Sequence, residues 1–389
     1  MKTPSIRPLL CLASICILPV AVRAAPLGPI ELRASAGVEV DTNVLRKPSD
    51  SGQSDQLAIG SLGVKADKEY GLQRFRLDAE TTHYRYRDVT YLNYSTVNYS
   101  AAWDWRLTPR LGGVISSDRR QFRDVTDTTG FNDINRRTQR ADLIEGKYEI
   151  DGNWRALAGL TRTSTHTTER RSLDASNTVR SVRIGASYEP ASGRSVTARL
   201  RRGHGEYTDS TTRPAGELDF NETEADVLLV YPLTAKTTLD GRLGFLDRKH
   251  PDGPEHDFRG PVGNATVTWD FSEKTRFSTG LVRELAAYQV PGGSYVPVTR
   301  GFYSHVYKPT INTAVRLRLE RDLRNWRGSP STPDSGRRDI TQWASATVEW
   351  AVQRTVTLSG TLRAEKRNSN FPEQNYRSAG IAGAVKVTF

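Results

Sequence analysis

Gly263-Asn264-Ala265-Thr266-Val267-Thr268-Trp269-Asp270-Phe271, followed by the polar turn Ser272-Glu273-Lys274, is the stretch whose reading decides the fold. Its apolar members fall at every second position: Gly263, Ala265, Val267, Trp269 and Phe271 oppose Asn264, Thr266, Thr268 and Asp270. Successive side chains of an extended chain point to opposite faces, so this period belongs to a strand and not to a helix. The alternation recurs along the chain. Phe75, Leu77, Ala79 and Thr81 oppose Arg74, Arg76, Asp78 and Glu80, and Val97, Tyr99, Ala101, Trp103 and Trp105 oppose Asn98, Ser100, Asp104 and Arg106. The last strand sets Ile381, Gly383, Val385, Val387 and Phe389 against Ala382, Ala384, Lys386 and Thr388.

Phe271 also belongs to a longer rhythm. Tyr70, Trp105, Tyr148, Tyr188, Tyr231, Phe271, Tyr307 and Trp350 each precede a short turn, and Phe389 ends the chain. The spacing is about 40 residues, which leaves room for two strands of about 10 to 14 residues per unit. The turns after the aromatics are short, whereas 42–56, 123–137, 164–178, 208–221, 246–259, 286–299 and 325–338 are long and rich in Pro, Gly, Asp, Ser and Thr. Short turns at one end and long loops at the other are the habit of outer-membrane barrels. With a first strand at 30–40 the chain holds nine hairpins, hence about 18 strands within a range of 16 to 18.

The composition agrees. Hydrophobic residues make up 37% and mean hydropathy is −0.56. No apolar run long enough for a helical span follows the N-terminus. A soluble sandwich would place its apolar faces in a shared core, but the opposing faces here are heavily charged: Arg183 and Glu189, Arg199 and Arg201, Asp240 and Arg242, Arg316, Arg318 and Glu320. A closed barrel reconciles the two, with apolar faces on lipid, charged faces on a wet lumen and every backbone group paired. The expected fold is therefore an all-β, transmembrane, antiparallel up-and-down barrel, and the recurring aromatics form its periplasmic girdle. A soluble solenoid with Tyr at its turns is the alternative.

Residues 1–24 read as a cleaved secretory signal, with Lys2 and Arg7 ahead of an apolar stretch at 8–22 and a permissive Val22-Arg23-Ala24. The barrel domain is then 25–389, placed in the outer membrane. Cys11 and Cys16 both lie in the leader, and Ile15 before Cys16 is not the small residue of a lipidation site. The mature chain would thus hold no disulfide, thiolate metal site or cysteine nucleophile. No nucleophile elbow, phosphate loop or dinucleotide glycine pattern occurs, so the chain is not expected to be an enzyme or to need a cofactor. Of six histidines only His250 and His256 are neighbours, too few for a metal set. The formal charge of +11 is spread along the chain without a basic tail, which argues against nucleic acid.

Arginine is the residue to weigh. The inward strand positions hold Arg74, Arg76, Asp78, Glu80, Arg155, Arg183, Arg199, Arg201, Asp240, Arg242, Arg276, Arg316, Arg318, Glu320 and Arg363, the candidate pore lining. A ladder of guanidinium groups with interleaved acids suits weak successive contacts with an acidic polymer. The other reading is that Arg and acid pairs brace the inside wall. Tyr91, Tyr94, Tyr207, Tyr288 and Tyr295 are placed to stack on sugars or to staple loops.

Gly37-Val38-Glu39-Val40-Asp41-Thr42-Asn43-Val44-Leu45-Arg46, then Ser54-Asp55, resembles the opening of EpsL-type outer-membrane proteins of exopolysaccharide gene clusters, within the wider putative β-barrel porin 2 group. Tyr91-Leu92-Asn93-Tyr94-Ser95, Trp103-Asp104-Trp105-Arg106-Leu107, Gly112-Gly113 and the aromatic-turn units up to Phe389 are similar to the same family. The resemblance implies a role in exopolysaccharide biosynthesis or export, as a polymer-conducting pore or an accessory of the secretion apparatus. It also implies polysaccharide and other export components as partners beside outer-membrane lipid, and recognition of the last strand by the assembly machinery. It transfers no active-site residue. A non-conducting structural partner and a general diffusion porin are the alternatives.

Overall fold

The computed structural model describes residues 30–48, 50–123, 136–167, 176–207, 219–286, 293–328 and 336–389; the segment 1–24 expected as a leader and parts of the long loops, Tyr288 among them, lie outside these. The wall begins with β1 (Ile30–Asp41), β2 (Asp55–Tyr70), β3 (Gln73–Tyr86), β4 (Tyr94–Arg106), β5 (Leu111–Arg123) and β6 (Arg136–Glu149). It continues with β7 (Trp154–Thr167), β8 (Asn177–Tyr188), β9 (Ser195–Tyr207), β10 (Phe220–Thr234), β11 (Thr237–Lys249) and β12 (Phe258–Ser272). β13 (Thr275–Ala286), β14 (Gly293–Thr310), β15 (Thr313–Asn325), β17 (Arg338–Ala351), β18 (Val356–Ser369) and β19 (Tyr376–Thr388) complete it. β16 (Arg327–Gly328) is a two-residue strand that pairs with β14 in a loop and is not a stave.

Each stave pairs antiparallel with its neighbours in sequence, and β1 pairs with both β2 and β19. The sheet is thus a closed 18-strand barrel, as the hairpin count requires. Leu32 and Phe389 finish the seam reciprocally: the Phe389 N–H donates to Leu32 O at 2.8 Å and the Leu32 N–H donates to Phe389 O at 3.1 Å. Closure leaves no unpaired edge, the condition for strands to sit in hydrocarbon.

One face of the wall carries its large apolar side chains in the open. Leu243 is 74% exposed, Val38 65% and Leu62 64%, and similar residues recur on every side. A continuous apolar belt of this extent does not persist in water and is the lipid-facing band of a membrane barrel. The strands run 12 to 18 residues, more than the roughly 9 to 11 that cross the hydrocarbon. They therefore extend beyond it at the long-loop end.

The nine recurring aromatics all lie at the short-turn end. Tyr70, Tyr148, Tyr188, Phe271, Tyr307, Trp350 and Phe389 are exposed, and Tyr231 sits under Arg194, 4.7 Å from ring centroid to guanidinium. Trp105 differs in being half covered: its indole lies on the backbone of Gly113, where a Cβ would fall 2.5 Å from the ring, and reaches Gly146. The turns themselves are tight. Between β2 and β3 only Gly71 and Leu72 intervene, with Gly71 at φ +59°, the left-handed start that lets a two-residue hairpin follow the strand twist.

Candidate functional site

The side chains on the other parity face the lumen, and the pairing register decides what they meet there. Carboxylates Glu222, Glu224 and Asp226 stand on one face of β10, each less than a tenth exposed. The flanking staves β9 and β11 supply Arg199, Arg201, Arg242 and Arg248, and the charges interlock. Arg248 reaches Glu222 at 2.8 Å, Glu222 also holds Arg201, Arg201 reaches Glu224 at 2.6 Å, and Glu224 meets Arg242 at 3.1 Å. Arg242 lies 3.7 Å from Asp226, which pairs with Arg199 at 2.7 Å. The result is an unbroken zipper of alternating charge up the inner wall.

The same bracing operates around the barrel. Arg33 pairs with Asp78, Arg74 with Asp67 at 2.7 Å, Arg76 with Asp104 at 2.8 Å and Arg155 with Glu189 at 2.8 Å. Arg183 meets Glu145 at 2.5 Å, Arg276 pairs with Asp270, and Arg316 meets Glu349 at 3.0 Å. Arg318 meets Glu320 at 3.0 Å, and Glu320 also accepts Arg300 at 2.9 Å. Arg363 holds both Glu39 and Asp41. Every arginine named from the sequence as pore lining thus has a carboxylate partner, and the ladder is a cross-strand brace. Among the described residues Glu80 and Asp240 have no cation within 4 Å, nor does Glu284, which the sequence reading did not single out. The neutralisation was hidden because pairing partners depend on register, which composition does not give.

The long-loop mouth departs from the polar-inside rule. Leu57, Ile59, Tyr84, Tyr86 and Tyr94 occupy inward positions on β2, β3 and β4, and the first loop folds in against them with Val44 and Leu45. Tyr84 and Tyr94 stack at 4.4 Å. The loop is fastened at its root. Arg46 donates to Asp41 at 2.9 Å and to Glu365 of β18 at 3.1 Å, and also to Asn43 O. Arg123 of β5 donates to Val44 O at 2.9 Å. Smaller apolar patches, Val296, Val298 and Trp326, and Leu246, Phe258 and Val262, line other parts of the mouth. Tyr94, Tyr207 and Tyr295 therefore staple loops or strand ends, Tyr207 against Phe220 and Tyr295 against Phe258, while Tyr91 is exposed.

His250 and His256 meet in the loop after β11, with ring centroids 5.7 Å apart and both buried. Among the described residues no group of three or more His, Cys, Asp or Glu side chains could hold a metal ion. Burial, then Arg248 and His256, push the His250 pKa down to about 4, against the weaker opposite pull of Asp257. A depressed pKa favours the neutral imidazole in the folded loop. Its contribution to stability is complete above the ordinary value of 6.5 and declines as pH falls towards 4, where the folded form protonates. An NMR titration of the ring protons should show His250 unprotonated at pH 5.5; a transition near 6.5 would mean that the ring is not enclosed.

A family model described as putative beta-barrel porin 2 matches residues 119–389. The chain belongs to this family. The porin is similar in structure to Pseudomonas aeruginosa OccK1 (OpdK), at 11% identity and a TM-score of 0.50, over 92% of this chain and 99% of that one. A structure of Pseudomonas aeruginosa OpdK with vanillate gives the same identity, TM-score and coverage. At such identity the likeness shows the barrel fold and nothing finer. No curated protein matches the sequence. Fold and family place this barrel in the outer membrane and group it with porins, not with enzymes.

Proposed function

We propose that this porin is a passive, weakly ion-selective channel for small hydrophilic solutes. The observation that carries the reading is the matched inner wall: the inward guanidinium groups of Arg201, Arg242, Arg316 and Arg363 are each met by carboxylates, so no single sign of charge dominates. Barrels of 16 to 18 strands enclose an aqueous channel, and an amphoteric wall focuses neither anions nor cations strongly. Purified protein in planar bilayers should give discrete conductance steps, with a K⁺ to Cl⁻ permeability ratio between about 0.3 and 3. Absence of steps would make it a structural barrel. A ratio beyond tenfold would mean that the wall pairs do not cancel.

The exopolysaccharide role rests on the resemblance at 37–46, 54–55 and 91–113 and in the aromatic-turn units up to Phe389, whereas the family model at 119–389 describes only a beta-barrel porin. The neutralised arginines weaken the case for an acidic polymer as cargo, and the general channel is the better supported alternative. Normal polymer secretion by a deletion strain would remove the export reading. Recognition of β19, ending in Phe389, by the assembly machinery belongs with the same proposal.

A further inference from the structure

The outer wall carries a feature that a diffusion channel does not use. On the lipid-facing parity, Arg321 of β15, Gln342 of β17, Lys366 of β18 and Arg377 of β19 are successive register partners and form one row across four adjacent staves. Arg321 and Arg377 are exposed and Lys366 is half-buried. Among the described residues none of the three cations has a carboxylate within 4 Å. Like charges crowded on one face of a sheet repel, so the row costs stability unless an anion lies against it.

Height says what that anion is. The row stands eight residues above Trp350 of the periplasmic girdle. That is about 26 Å along a strand and about 20 Å along the membrane normal at the usual tilt, close to the top of the apolar band. Directly beneath it the same parity carries Leu319, Ala344, Ala364 and Ala379, and the first three line an open groove of about 840 Å³. Cations at the interface above a shallow apolar groove match an amphiphile with an anionic head and several acyl chains. Guanidinium forks prefer phosphate oxygens.

The geometry points to a binding site on β15–β19 for an acylated, phosphorylated glycolipid of the outer leaflet. The phosphates lie on Arg321, Lys366 and Arg377 and the acyl chains lie in the groove. An analogous arrangement occurs on β7–β9, where Arg162 and Arg180 are opposite each other above Leu160 and Val182 and beside a second outer groove of about 1000 Å³. There Arg180 has Glu206 at 3.0 Å, so the β15–β19 row is the stronger anion site.

The test uses the full-length porin in phosphatidylcholine nanodiscs doped with bis-phosphorylated lipid A or with the same lipid after dephosphorylation, and counts retained lipid by native mass spectrometry. Wild-type protein should retain the phosphorylated lipid preferentially. Each cation removed should lower retention about fivefold, so R321Q/K366Q/R377Q should lose it by well over tenfold. Equal retention of the two lipids by the wild type, or by the wild type and the triple variant, overturns the site. If the triple variant does not assemble, the two-lipid comparison on wild type and the single K366Q variant decide. Channel conductance should be unchanged in these variants, which separates failure here from failure of the channel reading.

Discussion

Glutamine at both Glu222 and Glu224 is expected to turn a weakly selective channel into one that prefers anions. The two carboxylates hold three arginines between them: Glu222 contacts Arg201 and Arg248, and Glu224 contacts Arg201 and Arg242. Glutamine keeps the volume and one acceptor but removes the charge. Arg201 and Arg248 then lose their carboxylates, and Arg242 keeps only Asp226 at 3.7 Å. Two uncovered charges about 7 Å from the solute path in water are worth about 0.6 kcal/mol each, for Cl⁻ and against K⁺ alike, so the Cl⁻ to K⁺ permeability ratio should rise by roughly one to two orders of magnitude at low salt. The shift should shrink in strong salt, where screening shortens its reach.

The same double change should lower barrel stability by about 2 to 4 kcal/mol, less than the full cost of breaking a dry pair, because lumen water reaches the freed arginines. Arg201 and Arg242 are already about a quarter exposed. Replacing Asp240 with asparagine is the control. That carboxylate has no cation partner within 4 Å among the described residues, so its loss should move selectivity in the same direction with little effect on stability. An unchanged reversal potential in the double variant would mean that the zipper does not border the conducting path.

What the sequence reveals and what it hides divide along one physical line. Period-two alternation, the aromatics before short turns and the hairpin count are local signals, and they carry the architecture through to the Leu32–Phe389 seam. Partner choice across strands is not local. Arg201 reads as a free inward cation until the register sets it beside Glu222 and Glu224. The mouth reverses the simple rule for a related reason: Leu57, Tyr84 and Tyr86 are apolar and inward because a loop, not water, lies against them. Two connections, at 87–93 and 370–375, are also absent from the long loops expected from the sequence. Each is compact, with a single turn of helix at Thr90–Leu92 or Pro372–Gln374. The outward cations were legible, since Arg162 shares parity with Leu160 and Trp154, but a reading that assigns all charge to the lumen passes over them.

Arg46→Ala is expected to release the first loop from the mouth and raise single-channel conductance. Arg46 is about nine-tenths buried and bridges Asp41 at the end of β1 to Glu365 on β18, while its own backbone is left-handed at φ +54°. Alanine removes both ion pairs and leaves a residue that resists that backbone conformation. Asp41 stays buried with Arg363 and with Ser378, whose hydroxyl donates to it at 2.6 Å, so the wall holds. The loop does not fare as well. Val44 and Leu45 are then kept in place chiefly by apolar contact with the tyrosine cluster and by the Arg123 bond to Val44 O.

Loss of a buried bridging charge costs about 3 to 5 kcal/mol, and here that cost falls on docking of the loop and not on the staves. The loop should leave the inner wall for much of the time, widening the mouth and exposing 42–54 to protease. Arg46→Lys should be intermediate, because one ammonium cannot span both carboxylates as the guanidinium fork does. Wild-type conductance together with wild-type protease resistance in Arg46→Ala would show that the tyrosine cluster, with the bonds from Arg123 to Val44 O and from Asn43 to Arg377 O, seats the loop without Arg46, and that the charge bridge across the barrel seam is incidental to the width of the channel.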